Sequence, residues 1–251
     1  MNKFLILFLF CNLIKGQNNK STVDIEYTLE KYKNGYSFIA NANLLVDEAN
    51  QTSLFQLKKL IDISPKLEGD EAINFSTRKI CEDQKEYYFN FKNKIFIGLL
   101  FDVSCDNKVL IQNKISLPKW KITNKYKIIN GKKARLAIAT ICGRRWFAYY
   151  LENNLKKFGP WKIIGLNGLV IFAYDKEKVY KFSLKKIKKI KTTFSKPVYS
   201  KISTESNFVK KAIEENKSDL MEGVKNINPN FTEEMYKKLA PYETIDFIEK
   251  K

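Results

Sequence analysis

Apolar and polar residues alternate along most of the chain between positions 23 and 184. At 23–29 the apolar residues occupy odd positions, which is the pattern of a strand with one buried face. At 119–129 lysines alternate with apolar residues, which indicates a sheet with one solvated face and therefore antiparallel pairing. Comparable runs bounded by turn-forming residues predict further strands at 38–46, 53–57, 87–91, 95–101, 109–115, 120–123, 126–129, 135–142, 145–151, 170–174 and 179–184.

This pattern predicts a mainly β (α+β) protein, with a curved, largely antiparallel β-sheet or half-barrel over residues 17–200. The polar segment 58–80 is predicted to be a long loop. From Asn207 onward apolar residues recur at roughly helical spacing, and Thr232 followed by two glutamates has the form of a helix N-cap. Residues 201–251 are therefore predicted to be a helical C-terminal tail that packs on or beside the sheet.

Several turns are marked by their residue types. Asn130-Gly131 is the strongest short hairpin signal in the chain, and Gly143 predicts a second turn. A third hairpin is predicted around Asn93. If that hairpin is symmetric, Cys81 and Cys105 face each other and could form a disulfide; the alternative is a set of buried thiols that includes Cys142.

The stretch 159–172 contains three glycines and a tryptophan. It predicts a turn at Gly159-Pro160, a short strand, a second turn that begins at Gly165, and a buried strand. Asn167-Gly168 suits a type I′ or type II turn, so Gly168 is expected at positive φ. All three tryptophans fall between positions 120 and 161, so the core is expected to be densest there.

The N-terminus has the features of a secretory signal peptide at 1–16. A short positive segment precedes a nearly unbroken apolar run at 4–14, and Gly16 offers a small residue at the cleavage point. The run is too short for a membrane span, which needs about 20 apolar residues. The mature chain is therefore expected to work outside the cytoplasm and to have no transmembrane segment.

The chain is strongly basic, with a formal net charge of +18. Only four of its basic residues are arginine, the side chain that nucleic-acid readers favour for its bidentate fork. We therefore expect a solvated lysine surface and no specific nucleic-acid binding. The basic run at 185–191 has two interpretations, an anion-binding strip or a strand edge protected by lysines.

The sequence contains no histidine. This excludes Ser-His-Asp and Cys-His nucleophilic systems and every metal site that needs a histidine, and no cofactor is predicted. A carboxylate-based enzyme is the remaining catalytic hypothesis. Its candidates are the pairs Asp47-Glu48 and Glu82-Asp83, which a role in turns explains equally well.

Residues 117–174 resemble the GLPGLI family of exported Gram-negative bacterial proteins. The resemblance is carried by GPWK at 159–162, GLNGLV at 165–170 and LPKWKIT at 117–123, and more loosely by GR at 143–144. Asn167 replaces a family proline, and Ala134 stands where the family has a cysteine. The resemblance implies an exported β-rich protein, and it brings no established biochemical activity.

Together these features favour a non-enzymatic envelope protein of a Gram-negative bacterium, in the periplasm or at the outer-membrane periphery. A curved sheet would present a surface to an envelope or outer-membrane protein. The predicted binding residues are Arg144, Arg145, Trp146, Tyr149 and Trp161. The main alternative is a periplasmic carrier of a lipid or other apolar ligand, with the C-terminal helices as a lid over the concave face.

Overall fold

The structure, a computed structural model, describes residues 22–33, 36–58, 61–63, 85–101 and 108–204, together with single positions between 206 and 232. These residues form thirteen strands: β1 (Thr22–Lys33), β2 (Tyr36–Asp47), β3 (Thr52–Leu57), β4 (Ile61–Asp62), β5 (Lys85–Asn90), β6 (Ile95–Phe101), β7 (Lys108–Lys114), β8 (Lys121–Ile129), β9 (Lys132–Ile141), β10 (Arg144–Glu152), β11 (Gly168–Asp175), β12 (Tyr180–Ile190) and β13 (Ile202–Ser203).

All thirteen strands belong to one open sheet, in the order β13-β7-β6-β5-β3-β2-β1-β12-β11-β10-β9-β8, with β4 paired to β2. Every pairing is antiparallel except the short one between β13 and β7. The pairing of β1 with β12 joins two meanders, one formed by β2 to β7 and the other by β8 to β12. The predicted fold class is confirmed.

The hairpin turns follow their residue types. Asn130 and Gly131 have φ values of 50° and 72°, which fit the predicted type I′ turn between β8 and β9. Cys142 and Gly143, at 48° and 73°, form a similar turn between β9 and β10. The two strands predicted at 120–123 and 126–129 are one strand, β8, whose register against β9 shifts between Ile122 and Tyr126.

The hairpin of β5 and β6 forms as predicted, with Phe89 opposite Phe96. Its centre lies between residues 92 and 93, half a residue from the symmetric arrangement around Asn93 on which the disulfide was based. Cys81 and Cys105 themselves lie outside the described residues. Cys142 lies in the β9–β10 turn, where Lys162 Nζ is 3.8 Å from its sulfur.

The sheet curves strongly, and its inner face holds the core. Phe55 on β3 and Phe182 on β12 have ring centroids 6.0 Å apart, although β2 and β1 lie between them in the sheet. The inward residues Ala40 and Ala42 on β2 are small and buried, which leaves room for the two aromatic rings to meet. The aromatic core continues along the inner face through Trp146, Tyr87, Phe96, Phe89, Phe91 and Phe158.

Residues 153–167 form a compact Ω-loop that packs on this inner face. The backbone N–H of Asn153 donates to the carbonyl of Asn167 at 2.9 Å, and that of Lys157 donates to Leu166 at 2.8 Å, so the ends of the loop are held together. The short strand predicted here is not formed, because the loop satisfies its backbone internally. Its buried side chains are Phe158, Trp161, Ile163, Ile164 and Leu166.

The predicted role of Gly168 was wrong. Gly168 is the first residue of β11, and Gly165 takes the positive φ of 85°. Gly168 is needed for a different reason, because a Cβ there would lie 1.9 Å from the carbonyl oxygen of Leu151 on β10. Asn167-Gly168 therefore does not form the predicted turn. The turn at Gly159-Pro160 is formed, and Ile163 N–H donates to the Pro160 carbonyl at 3.0 Å.

After β13 the described positions of 206–222 are helical, as predicted from Asn207 onward, whereas Ile202 and Ser203, predicted to belong to the helical tail, form β13. Thr204 caps this helix, since its Oγ1 accepts from the backbone N–H of Asn207 at 3.2 Å. Phe208 is buried, whereas the other described helical positions are exposed. In the described part of the chain, no helix is both long and apolar enough for a membrane crossing. The segment 1–16 lies outside the described residues, and of the second predicted helix only its N-cap, Thr232, is described.

Candidate binding surface

Two of the predicted binding residues belong to the core. Trp146 points inward from β10 with Ala148 and Tyr150, and Trp161 reaches it from the Ω-loop at a centroid distance of 5.5 Å. Trp146 is 0% exposed and Trp161 is 1% exposed. Their prediction as contact residues was wrong, because a side chain without accessible surface cannot meet a partner.

Arg144 is also accounted for within the protein. Its Nη1 lies 3.1 Å from the Oδ2 atom of Asp175, a carboxylate at the end of β11 that is completely buried. The other oxygen of Asp175 accepts from the backbone N–H of Tyr180 at 2.8 Å. Burial raises the pKa of Asp175, and the Tyr180 N–H and the Arg144 guanidinium oppose that rise. Arg144 therefore forms a strand-end ion pair within the protein, which accounts for its charge without a partner.

The opposite face of β10 and β11 carries four half-buried rings, here called the aromatic strip: Phe147, Tyr149, Phe172 and Tyr174. The strand register places Phe147 opposite Tyr174 and Tyr149 opposite Phe172. The first pair is stacked at 5.2 Å with an interplanar angle of 11°, and the second lies at 6.2 Å. Phe172 and Tyr174 are 5.7 Å apart, so the four rings form one continuous surface.

Cations stand at both ends of the aromatic strip. The guanidinium of Arg145 lies 5.7 Å from the Phe147 ring centroid, and Lys127 Nζ lies 5.9 Å from that of Phe172. Neither cation has an ion-pair partner among the described residues. Burial, and to a lesser degree the neighbouring Tyr149, raise the pKa of Tyr174, so the hydroxyl stays neutral at physiological pH. The surface is thus apolar at its centre and positively charged at its ends.

The neighbouring part of the same face is polar and neutralised. Lys188 on β12 bridges Asp24 at 3.0 Å and Glu26 at 2.9 Å, and Lys181 pairs with Glu30 at 2.7 Å. These pairs limit the unneutralised positive charge beside the aromatic strip.

Two of the five predicted binding residues, Arg145 and Tyr149, lie together on the face that carries the aromatic strip.

Among the described residues, the inner face offers no comparable surface. There the Ω-loop and the core aromatics pack against the concave face that a lipid carrier would need, and the described helical positions other than Phe208 are exposed. Of the strand at 146–150 on which a nucleic-acid role would stack bases, Trp146 and Tyr150 are buried, and Phe147 and Tyr149 are half-buried on the other face. Among the described residues, the carrier alternative thus lacks the open concave face that it requires.

The carboxylate pairs show no catalytic arrangement where they are described. Asp47 ends β2, and its Oδ1 accepts from the backbone N–H of Asn50 at 3.0 Å, which is a turn role. The pair Glu82-Asp83 lies outside the described residues. Within the described part of the chain, no three cysteine, aspartate or glutamate side chains are grouped so that they could hold a metal ion.

Sequence reasoning missed Phe172, Tyr174 and Lys127. The available signal was the alternation in 170–174, where the aromatic residues occupy positions out of phase with the inward Ala173. Their grouping with Tyr149 depends on the register of β10 against β11, which the intervening Ω-loop sets.

No protein-family model matches the chain, and no curated protein matches it. Among solved structures it is similar to PNGF-II in two crystal forms, with TM-scores of 0.46 and 0.44 and identities of 16% and 18%. These matches cover 77% and 76% of this chain, which spans about a third (33% and 34%) of the PNGF-II chain. A conserved uncharacterised protein from Thermus thermophilus has a TM-score of 0.37 and 8% identity, covering 72% of this chain and 90% of its own.

Proposed function

We propose that this protein is an exported, non-enzymatic envelope protein that binds a partner protein through the aromatic strip. The observation that carries the proposal is the continuous row of four half-buried rings with an unneutralised cation at each end. Aromatic residues and arginine are enriched where proteins bind one another, and well-packed rings hold much of the binding energy. The partner surface should be apolar at its centre and acidic at its margins.

The proposed location rests on sequence features. The features of a signal peptide at 1–16 support export, and the resemblance to the GLPGLI family supports membership in a family of exported proteins. We therefore propose a place in the periplasm or at the outer-membrane periphery of a Gram-negative bacterium. The intact mass of the protein isolated from its own cells tests export, since removal of 1–16 is expected.

The proposal of a binding role over a catalytic one is supported by the lack of histidine in the sequence and by the turn role of Asp47. It is favoured over a lipid carrier because side chains fill the concave face. A continuous, partly exposed aromatic surface has a cost in solubility, which is offset when a partner covers it.

The test is photo-crosslinking in cells of the source organism. A photoreactive amino acid replaces Tyr149 in the strip, and a matched control variant carries it at Glu177, an exposed residue of the β11–β12 turn. We expect a discrete protein adduct from position 149 and none from position 177. The same adducts from both positions, or none from either, would contradict the proposal.

Two further variants examine the chemistry of the contact. Arg145→Glu reverses one end charge at an exposed position, and Phe172→Ala removes the ring that lies between Tyr149 and Tyr174. Each should reduce adduct yield about tenfold, which corresponds to the loss of a contact worth about 1.4 kcal/mol. Arg145→Glu is the cleaner test, because its side chain is exposed and the fold does not depend on it.

A further inference from the structure

The sheet opens between β11 and β12. Their pairing comprises Tyr174 with Lys181, Ala173 with Phe182, and Phe172 with Ser183, and it extends no further. Each strand has a bulge just beyond the last pair. Ile171 is the extra residue on β11 against β10, and Lys185 is the extra residue on β12 against β1. Facing bulges of this kind end strand pairing and redirect side chains.

The opening is a cavity of about 220 Å³ that is partly open to solvent. Four aliphatic side chains and one amide contribute to its walls, and three lysines accompany them. The lining residues are Ile129, Asn130 and Lys132 of the β8–β9 hairpin, Ile171 of β11, and Leu184, Lys185, Lys186 and Ile187 of β12. None of the lining side chains is a carboxylate.

The charges around the cavity are not balanced. Lys132, Lys185 and Lys186 have no ion-pair partner among the described residues, whereas Lys181 and Lys188 of the same strand β12 are both paired. Lys185 Nζ donates only to the neutral side chain of Asn41 on β2, at 3.2 Å, so its ammonium lies on the β1 side of β12 and must turn to reach an anion in the cavity.

Glu26 lies opposite Lys186 in the strand register, but its carboxylate bonds Lys188 at 2.9 Å. The three lysines are exposed, and they bring positive charge to the cavity with no carboxylate in its lining.

We propose that this cavity binds a carboxylate on a short aliphatic chain. The lysines receive the carboxylate, and the aliphatic chain lies against Ile171, Leu184 and Ile187. The volume lies below the roughly 300–1,000 Å³ of pockets for drug-sized ligands, which favours a short chain over a membrane lipid. An inorganic anion would leave the aliphatic wall unused. This site is independent of the aromatic strip and does not rest on the proposed partner.

The test is a titration of the full-length protein, labelled at isoleucine methyl groups, with straight-chain carboxylates of increasing length. Saturable shifts are expected at Ile129, Ile171 and Ile187. Affinity should rise about fourfold for each added methylene until the cavity is full, and then stop rising. The primary alcohols and amines of the same length, and inorganic phosphate, should bind at least about tenfold more weakly.

The decisive variant is Lys185→Gln with Lys186→Gln, and its matched control is Lys176→Gln with Lys178→Gln in the exposed β11–β12 turn. The two double variants lose the same charge. We expect the first to weaken carboxylate binding about tenfold and the control to leave it nearly unchanged. Equal losses in both, equal binding of the alcohols, or shifts with phosphate alone would overturn the proposal.

Discussion

The hydroxyl of Tyr27 donates a hydrogen bond of 2.7 Å to the carbonyl oxygen of Val170. Tyr27 lies on β1 and Val170 on β11, and β12 separates these strands in the sheet. Val170 lies just beyond the point where the pairing of β11 with β12 ends, so a side chain provides a donor where that ladder no longer does. The bond closes the inner side of the opening between the two strands.

Replacement of Tyr27 by phenylalanine should destabilise the protein. Both the tyrosine side chain and Val170 are buried, so the substitution leaves a buried carbonyl without this donor. The expected decrease in the free energy of unfolding is about 1–3 kcal/mol. Urea denaturation measures it, and Tyr32→Phe is the control because Tyr32 is 57% exposed. Equal stability of the two variants would show that the bond contributes nothing.

Because of Tyr27, we also expect the stability of the protein to decrease at alkaline pH. Burial raises the pKa of Tyr27 far above its ordinary value of 10.0. Above pH 10 the unfolded chain releases this proton while the folded protein retains it, so the free energy of unfolding falls as pH rises.

The Y27F variant lacks this proton, so its stability deficit should narrow by about 1.4 kcal/mol per pH unit above pH 10. Urea denaturation of both proteins from pH 8 to pH 11 measures the difference between their free energies of unfolding. The lysines also titrate in this range, but they are common to both proteins and their contribution cancels. A constant deficit over this range would contradict the assignment.

The Arg144–Asp175 pair predicts a larger loss. Asp175→Asn leaves the largely buried guanidinium of Arg144 without its counter-charge, and the expected cost is about 3 kcal/mol. Glu30→Gln is the matched control, since it breaks the exposed pair with Lys181 and should cost less than about 1 kcal/mol. Thermal and urea denaturation of both variants provide the comparison. Similar losses would show that burial does not distinguish the pairs.

For the adjacent residues Arg144 and Arg145, the sequence predicts that they lie on opposite faces of the strand but not which of them faces the core. Alternation predicts that Arg144 and Arg145 lie on opposite faces of β10, and they do. It does not say which face is inner, because Trp146, Ala148 and Tyr150 on one side and Phe147 and Tyr149 on the other are both apolar sets. The choice is made by the Ω-loop, whose Trp161 packs against Trp146.

The position of a strand such as β6 was predictable, because it depends on the local pattern of residues. β6 was predicted at 95–101 and is observed at Ile95–Phe101, because a short apolar run between turns needs no distant contact to be recognised. The opening between β11 and β12 was not predictable. It depends on bulges at Ile171 and Lys185, and each bulge is defined only by the register against a neighbouring strand.

The glycines at the start of β11 and in the β8–β9 turn provide the last prediction. A Cβ at Gly168 would lie 1.9 Å from the Leu151 carbonyl oxygen and 2.8 Å from Cδ2 of Tyr150, so β10 and β11 would have to separate. Gly168→Ala should therefore cost about 3 kcal/mol or more. Gly131→Ala meets no atom within 4 Å, and its φ of 72° should cost only about 1–2 kcal/mol.

Urea denaturation of the two alanine variants under the same conditions compares the cost of the steric clash at position 168 with the cost of the positive φ at position 131. A greater loss from Gly131→Ala would mean that β10 and β11 can move apart easily. The Ω-loop between them would then not hold the register that assembles the aromatic strip.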